Sequence, residues 1–207
     1  MQDIRICFMG ESFVNGTGDS TLLGWTGRLC LALSQQGYSV TYYNLGIRRE
    51  TSSELEQRWQ AEAERRLSVS CDKRVVFSFG TNDTTIENGK PRVDLPNSLK
   101  NIKQILSTVK HYYPVLMVSP PPIANDEQNA RIQVLCEHFN SVCQELDVPY
   151  LNVFTSLLNS PVWMAEVKAG DGAHPNAAGY TELALLVQNW SVWSDWFKPN
   201  VSNHTSC

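Results

Sequence analysis

An aspartate and a histidine lie three residues apart towards the carboxyl end of the chain, as Asp171 and His174 in Asp-Gly-Ala-His-Pro. A carboxylate at this spacing can hold one ring nitrogen of the imidazole, which leaves the other nitrogen to take a proton from a nucleophile. Pro175 suits the first position of a helix and places His174 at a rigid boundary. The pair predicts a general base with its orienting acid.

Two serines near the amino end compete for the role of nucleophile. Ser12 ends a Gly-Glu-Ser triplet directly after the apolar run 4–9, and Ser20 ends a Gly-Asp-Ser triplet eight residues further along. A serine hydroxyl is a poor nucleophile unless an imidazole takes its proton. The residue types alone fit either serine, because each follows a glycine and an acid.

Short runs rich in β-branched and aromatic residues alternate with helical patterns. Several runs are nearly continuous in apolar residues, as expected of strands covered on both faces. They occupy 4–9, 39–44, 74–79, 115–119 and 149–153. Strand and helix alternating five times predict an α/β fold, a three-layer α/β/α sandwich around a mainly five-stranded parallel sheet. Ligands of such sheets bind at the carboxyl ends of the strands.

The helical patterns occupy 24–37, 52–68, 94–114, 125–149 and 174–197. The second of them is strongly charged and is predicted to be a surface helix that begins with a serine cap. The last is predicted to run as one helix from His174 into a tryptophan-rich end.

Acyl transfer to a serine also needs hydrogen-bond donors for the developing oxyanion. The loops after the first three strands are expected at the same edge of the sheet as Asp171 and His174. They offer the backbone N–H of Ser12, the backbone N–H of Gly46 and the side-chain amide of Asn82. These groups are the candidate oxyanion donors.

Four segments in this order resemble the sequence blocks of the SGNH hydrolases, also called the GDSL esterase/lipase family. The family has Gly-Asp-Ser after the first strand, then a glycine, then Gly-x-Asn-Asp, and finally Asp-x-x-His-Pro. The matching segments are Gly10-Glu11-Ser12, Gly46, Gly80-Thr81-Asn82-Asp83 and Asp171 through Pro175. One such block is a weak signal, but four in order across residues 10–175 form a specific pattern.

The resemblance implies a flavodoxin-like fold and hydrolysis of esters or thioesters through an acyl-enzyme, without a cofactor or a metal ion. It implies a catalytic triad of Ser12, Asp171 and His174, and an oxyanion hole of Ser12, Gly46 and Asn82.

The resemblance also decides between the two serines, because the nucleophile of the family directly follows the first strand. Ser12 is therefore the expected nucleophile, and Ser20 is expected in a surface loop. Glu11 departs from the family's aspartate, and its extra methylene is expected to shift the hydrogen bonds that brace the turn.

Arg48 and Arg49 follow Gly46 closely. An arginine near an oxyanion hole can contact an acidic group of a substrate or add charge stabilisation. The alternative is a pair of solvated arginines that lead into a charged helix. Arg48 is accordingly a candidate substrate-binding residue.

The composition excludes some classes of function. The net charge is -4 and no long basic run is present, which argues against nucleic acid as a partner. No apolar stretch is long enough for a membrane span, and no signal peptide is visible, so a cytoplasmic location is expected. The six cysteines lack metal-ligand spacing and are predicted to be buried free thiols.

One hydrolase domain is predicted over residues 1–199, followed by a polar tail at 200–207. The aromatic residues near the end of the domain are Trp190, Trp193, Trp196 and Phe197. They are expected to pack against the domain or to form a homodimer contact, in preference to anchoring it in lipid.

The leading prediction is a serine esterase that acts on small-molecule esters of small or medium acyl groups. An acyl-thioesterase or lysophospholipase and a carbohydrate O-acetylesterase would use the same triad. The alternative from another class is an inactive flavodoxin-like binding module.

Overall fold

The computed structural model describes residues 3–67 and 70–198. The strands within these residues are β1 (Asp3–Gly10), β2 (Ser39–Gly46), β3 (Asp72–Ser78), β4 (Ile86–Glu87), β5 (Lys90–Pro91), β6 (Val115–Val118) and β7 (Tyr150–Leu151). The helices are α1 (Ser12–Asn15), α2 (Gly24–Gln35), α3 (Ser52–Arg66), α4 (Leu95–Val109), α5 (Asp126–Glu145), α6 (Phe154–Leu158), α7 (Pro161–Ala169), α8 (Ala177–Gln188) and α9 (Ser191–Asp195).

Five of these strands form a parallel sheet in the order β2-β1-β3-β6-β7, and β4 pairs with β5 as a separate antiparallel hairpin. From β1 the chain passes to β2 on one side of it and then to β3 on the other side, so the strand order reverses between β1 and β3. Gly10, Gly46 and Ser78 lie side by side at the carboxyl ends of β1, β2 and β3. The predicted fold class is confirmed.

Each face of the sheet carries its own hydrophobic core. Ile4, Ile6 and Phe8 of β1 belong to a cluster with residues of α2 and α8, whereas Cys7 and Met9 belong to a cluster with residues of α3 and α4. Successive side chains of a strand point to opposite faces, so a nearly continuous apolar run is the pattern that buries both. For this reason β1 can be recognised as a strand although its apolar and polar residues do not alternate.

The start of α3 corrects one prediction. The cap is Thr51, whose hydroxyl accepts the N–H of Glu54 while the Glu54 carboxylate accepts the N–H of Thr51. This reciprocal pair is a capping box, and it leaves Ser52 inside the helix. The helix is charged on one side only, because Leu55 and Trp59 are buried.

The carboxyl-terminal helix is also shorter than predicted. It divides into α8 and α9, because Trp190 adopts an extended conformation with ψ of 120° between them. The break turns Trp193 and Phe197 back onto the core, where both are buried. Helix α7 was not predicted from the sequence. Ser160 caps it and Pro161 begins it, and this pair is a recognisable signal for the start of a helix.

The aromatic end of the domain packs against the sheet. Trp193 lies 6.5 Å from the Phe8 ring, and the Arg74 guanidinium lies 4.4 Å from the Phe197 ring. A homodimer contact through this segment stays a prediction. The tail predicted at 200–207, together with residue 199, lies outside the described residues.

The cysteine prediction holds for four of the described thiols. Cys7, Cys30, Cys136 and Cys143 are free and buried, whereas Cys71 is free and partly exposed. Cys207 lies outside the described residues. None of the helices in the described part of the chain combines the length and the apolarity that crossing a bilayer requires.

Gly10 offers a test of how closely the strand ends pack. Its φ is +152°, and a Cβ at this position would lie 1.8 Å from the carbonyl oxygen of Ser78. We expect Gly10→Ala to lower the free energy of unfolding by roughly 2–6 kcal/mol through overpacking and backbone strain. Gly37→Ala is the control, since its φ is +90° but nothing lies within 4 Å. Urea denaturation measures both variants, and an equal loss in the two would contradict the packing argument.

Candidate active site

Asp171, His174 and Ser12 form a continuous chain of hydrogen bonds at the carboxyl edge of the sheet. Nδ1 of His174 lies 2.8 Å from Oδ2 of Asp171, and Nε2 lies 2.7 Å from Oγ of Ser12. A carboxylate only accepts, so Nδ1 carries a hydrogen and Nε2 can accept the serine proton. The geometry suits a general base aimed at a nucleophile 162 positions away in the chain.

Ser12 begins α1, a single helical turn directly after β1. The carbonyl of Glu11 accepts the N–H groups of Val14 and Asn15 at 3.0 and 3.1 Å, and the carbonyl of Ser12 accepts the N–H of Gly16 at 3.0 Å. The first N–H groups of a helix have no acceptor inside it. The turn therefore fixes the backbone of Ser12 and leaves its N–H without an acceptor inside the helix, as a candidate oxyanion donor.

Asp171 shapes the loop that carries the imidazole. Its Oδ1 accepts the N–H groups of Ala173 and His174 at 3.0 and 2.9 Å, while Oδ2 holds the ring. Partial burial favours the neutral acid, but these hydrogen bonds outweigh burial and lower the pKa of Asp171 to about 2. The ring of Phe13 lies 5.0 Å from the imidazole. Asp171 is therefore charged wherever a neutral imidazole can act as a base.

Gly46 lies against the turn that α1 makes. A Cβ on Gly46 would lie 2.3 Å from the backbone nitrogen of Asn15 and 2.7 Å from the carbonyl oxygen of Glu11. Only glycine permits this approach. Its N–H donates to Oδ1 of Asn44 at 3.1 Å, so this candidate donor has an internal partner in the structure.

Asn82 follows β3 and is tethered to the residue that precedes Ser12. Its side-chain amide donates to Oε2 of Glu11 and to the carbonyl oxygen of Glu50, the latter at 3.0 Å. Glu11 also accepts the backbone N–H groups of Thr81 and Asn82 at 3.0 and 3.1 Å. The structure thus brings the three predicted oxyanion donors to one edge of the sheet.

Ser20 lies in an exposed loop, as expected. Its backbone N–H donates to Oδ1 of Asn176 at 2.9 Å. The preceding Asp19 is buried and accepts hydrogen bonds from the Thr21 and Gly24 amides and from Arg28. The Gly-Asp-Ser triplet at 18–20 is therefore a brace for its own loop, and the imidazole bonds to Ser12.

The sequence matches the model of the GDSL-like lipase/acylhydrolase family over residues 8–181. The chain belongs to this family. Membership makes it a hydrolase that acts on esters. Among curated proteins, none matches the sequence significantly.

Solved structures share the fold of this GDSL-like hydrolase. The acetylxylan esterase Axe2 from Geobacillus stearothermophilus has 17% identity and a TM-score of 0.72, with 88% of this chain and 91% of that chain covered. A lipase/acylhydrolase from Enterococcus faecalis has 21% identity and a TM-score of 0.67, with 90% and 93% covered. A lipolytic G-D-S-L family protein from Veillonella parvula has 17% identity and a TM-score of 0.71, with 91% and 98% covered.

A buried ion pair beneath the site of the GDSL-like hydrolase was not predicted. Arg58 donates to both carboxylate oxygens of Glu50, and its Nη2 also donates to the carbonyl oxygen of Leu45 at 2.7 Å and to that of Gly10 at 3.4 Å. Glu50 is buried, so the pair ties the ends of β1 and β2 to α3. Glu50 precedes α3 and Arg58 lies within it, and no sequence pattern predicts a contact between two residues so placed.

Arg48 lies beside the aspartate of the relay. Its Nη2 is 3.7 Å from Oδ2 of Asp171, and its side chain is 64% exposed. It lines two neighbouring clefts of about 410 and 430 Å³, which share Thr17 and Gly18, and the first of them reaches His174. Arg48 therefore borders the clefts beside the relay, and its role in substrate binding stays a prediction.

A cleft of about 810 Å³ lies at the amino ends of the strands, where Ile4, Ser39 and Asp72 line it, and it contains none of the predicted site residues. Across residues 3–67 and 70–198, no cluster of three or more His, Cys, Asp or Glu side chains is arranged to hold a metal ion.

Glu11 is expected to make stability depend on pH. Burial raises the pKa of its carboxyl group from 4.5 to about 7, and the charge of Asp83 acts in the same direction while the N–H donors of Thr81 and Asn82 oppose it. The folded protein keeps this proton over a range in which the unfolded chain has lost it. The contribution of Glu11 to stability therefore declines as pH rises from 4.5 towards 7.

Glu11→Gln lacks this ionisation. We expect the free energy of unfolding of the wild type, relative to that of the variant, to fall between about pH 5 and pH 8. Urea denaturation at both pH values measures the difference, and a difference that stays constant would contradict the assignment.

Arg48 can be tested against its neighbour. If it contacts substrate, Arg48→Ala should raise KM or lower kcat for esters, and the effect should be largest for esters that carry an acidic group. Arg49→Ala is the matched control, since Arg49 is 72% exposed and pairs with Glu87 at 2.7 Å. Unchanged kinetics for Arg48→Ala, or an equal change for Arg49→Ala, would remove Arg48 from the substrate site.

Proposed function

We propose that this protein is a serine esterase that hydrolyses carboxylic esters of small or medium acyl groups through an acyl-enzyme on Ser12. His174 acts as the general base and Asp171 orients it. The observation that carries the proposal is the unbroken relay from Asp171 through His174 to Ser12, with contacts of 2.8 and 2.7 Å. Such spacing is that of an activated serine nucleophile.

In the acylation half, Oγ of Ser12 attacks the ester carbonyl carbon while its proton passes to Nε2 of His174. The carbonyl π electrons move to oxygen, which becomes the oxyanion. The N–H of Ser12, the N–H of Gly46 and the amide of Asn82 are the proposed donors to it. The intermediate then expels the alcohol oxygen, which takes the proton from His174, and the acyl group stays on Ser12.

In the deacylation half, water attacks the acyl carbon and gives a proton to His174. Collapse of the second intermediate breaks the bond to Oγ, and His174 returns the proton to Ser12. The products are a carboxylic acid and an alcohol. Asp171 stays charged throughout, because its hydrogen bonds hold its pKa at about 2, and it stabilises the imidazolium formed in each half.

One of the structural relatives supports these roles. Structures described as catalytic mutants of Axe2 carry alanine in place of a serine, an aspartate and a histidine, with the aspartate three positions before the histidine. Asp171 and His174 have the same spacing. An inactive binding module is disfavoured, because each member of the relay is present and in hydrogen-bond contact.

The lining of the clefts favours a second candidate, a carbohydrate O-acetylesterase. The cleft beside His174 combines apolar surface with the polar side chains of Thr17 and Arg48, and such polar groups can hydrogen-bond a hydroxyl-rich alcohol. Axe2 is an acetylxylan esterase. Acyl-thioesters and lysophospholipids would use the same relay and are the remaining alternatives.

The two serines give the decisive test. We expect Ser12→Ala to lower kcat/KM for a small chromogenic ester by at least about 10⁴-fold, because the nucleophile is lost. The same variant should resist labelling by an organophosphonate. Ser20→Ala is the matched control and should keep both activity and labelling, since its side chain is outside the relay. The reverse pattern, or the absence of labelling in the wild type, would refute the proposal.

A further inference from the structure

Both hydrogens of the Asn82 side-chain amide are already in use. An amide nitrogen has two hydrogens. One goes to Oε2 of Glu11 and the other to the carbonyl oxygen of Glu50 at 3.0 Å. Neither hydrogen is free for an oxyanion in this arrangement, so Asn82 must exchange one partner before it can serve the reaction proposed above.

The two partners of the amide differ in strength. Glu11 is 1% exposed, and its carboxylate accepts three N–H groups, from the backbone of Thr81, the backbone of Asn82 and the Asn82 amide. Above its pKa of about 7 the Glu11 carboxyl group is ionised, and hydrogen bonds to an ionised acceptor are roughly twice as strong as bonds between neutral groups. The bond to the neutral carbonyl of Glu50 is therefore the one that yields.

The backbone around these partners is held in place. Arg58 fixes Glu50 through both of its carboxylate oxygens and also donates to the carbonyls of Leu45 and Gly10. The carbonyl of Glu11 accepts two amides of α1. The two present partners of the amide are thus held in place, and the exchange is a change of one hydrogen-bond partner.

We propose that Glu11 is a positioning residue that keeps hold of the Asn82 amide while its second N–H passes from the Glu50 carbonyl to the oxyanion on the substrate. This inference rests on the proposed esterase function. Glu11 does not touch the reacting atoms and acts through Asn82. Its two carboxylate oxygens divide the contacts, since Oε1 accepts the N–H of Thr81 and Oε2 accepts the backbone and side-chain N–H groups of Asn82.

A double-mutant cycle tests the coupling. The variants are Glu11→Gln, Asn82→Ala and both together, assayed on a small chromogenic ester at about pH 8, above the pKa of about 7 of the Glu11 carboxyl group. Asn82→Ala should lower kcat by about 10²–10³-fold, as the loss of an oxyanion donor does. Glu11→Gln should lower kcat by about 10–100-fold with KM within about 3-fold, because a glutamine oxygen accepts fewer of the three N–H groups.

The double variant decides the outcome. If Glu11 acts through Asn82, the double variant should match Asn82→Ala within about 3-fold. Losses that multiply would overturn the inference, because Glu11 would then act independently of Asn82. A wild-type kcat for Glu11→Gln would overturn it as well. Glu11→Asp keeps the carboxylate and should be more active than Glu11→Gln. If Glu11→Gln does not fold, Glu11→Asp replaces it in the double-mutant cycle.

Two controls separate this result from other causes. Glu54→Gln makes the same chemical change in the cap of α3, so it should lower thermal stability and leave kcat unchanged. Ser12→Ala separates the inference from the proposed function. If Ser12→Ala keeps activity, the function is wrong; if it is inactive while the cycle is additive, only the role of Glu11 is wrong.

Discussion

Parallel pairing of β1 with β2 and β3 is the constraint on which the site depends. It places Gly10 beside both Gly46 and Ser78, so the loops that follow these strands emerge at the same edge, where strand order reverses. A slip of one residue would exchange the two faces of a strand and displace the loop after it. The hydrogen bond between Ser12 and His174 is possible because this register and the packing of α8 on α2 leave both loops at one rim.

Buried carboxyl groups hold that rim together. Glu11, Glu50 and Asp83 are all buried, and an unpartnered buried charge would cost several kcal/mol. Each has partners from another segment: Glu11 binds the loop after β3, Glu50 binds Arg58, and Asp83 accepts the N–H of Ser52 and the hydroxyl of Ser98. Each desolvated acid thus joins two segments. The rigidity this confers suits a site that must present donors and a nucleophile in fixed positions.

Parts of the fold followed from local pattern. Strands β1, β3 and β6 were predictable because burial on both faces demands apolar runs, and the longer helices because one stripe of each is buried. The break at Trp190 was not, since it depends on how Trp193 and Phe197 fit the core rather than on a local stop signal. The hairpin of β4 and β5, with two residues in each strand, was too short for any periodicity to show.

The sequence by itself determined the chemistry on offer: a histidine with an acid three residues before it, a serine after the first strand, and a glycine and an asparagine after the next two. The residue types and local spacing supplied the candidates, and the order of the four family blocks chose Ser12 over Ser20. Only the tertiary structure decided how the groups are engaged. It showed that Asn82 and Gly46 have internal hydrogen-bond partners, that Glu11 holds the loop after β3, and that Arg48 faces Asp171. These contacts join residues far apart in the chain, and their geometry arises from packing that no local pattern encodes.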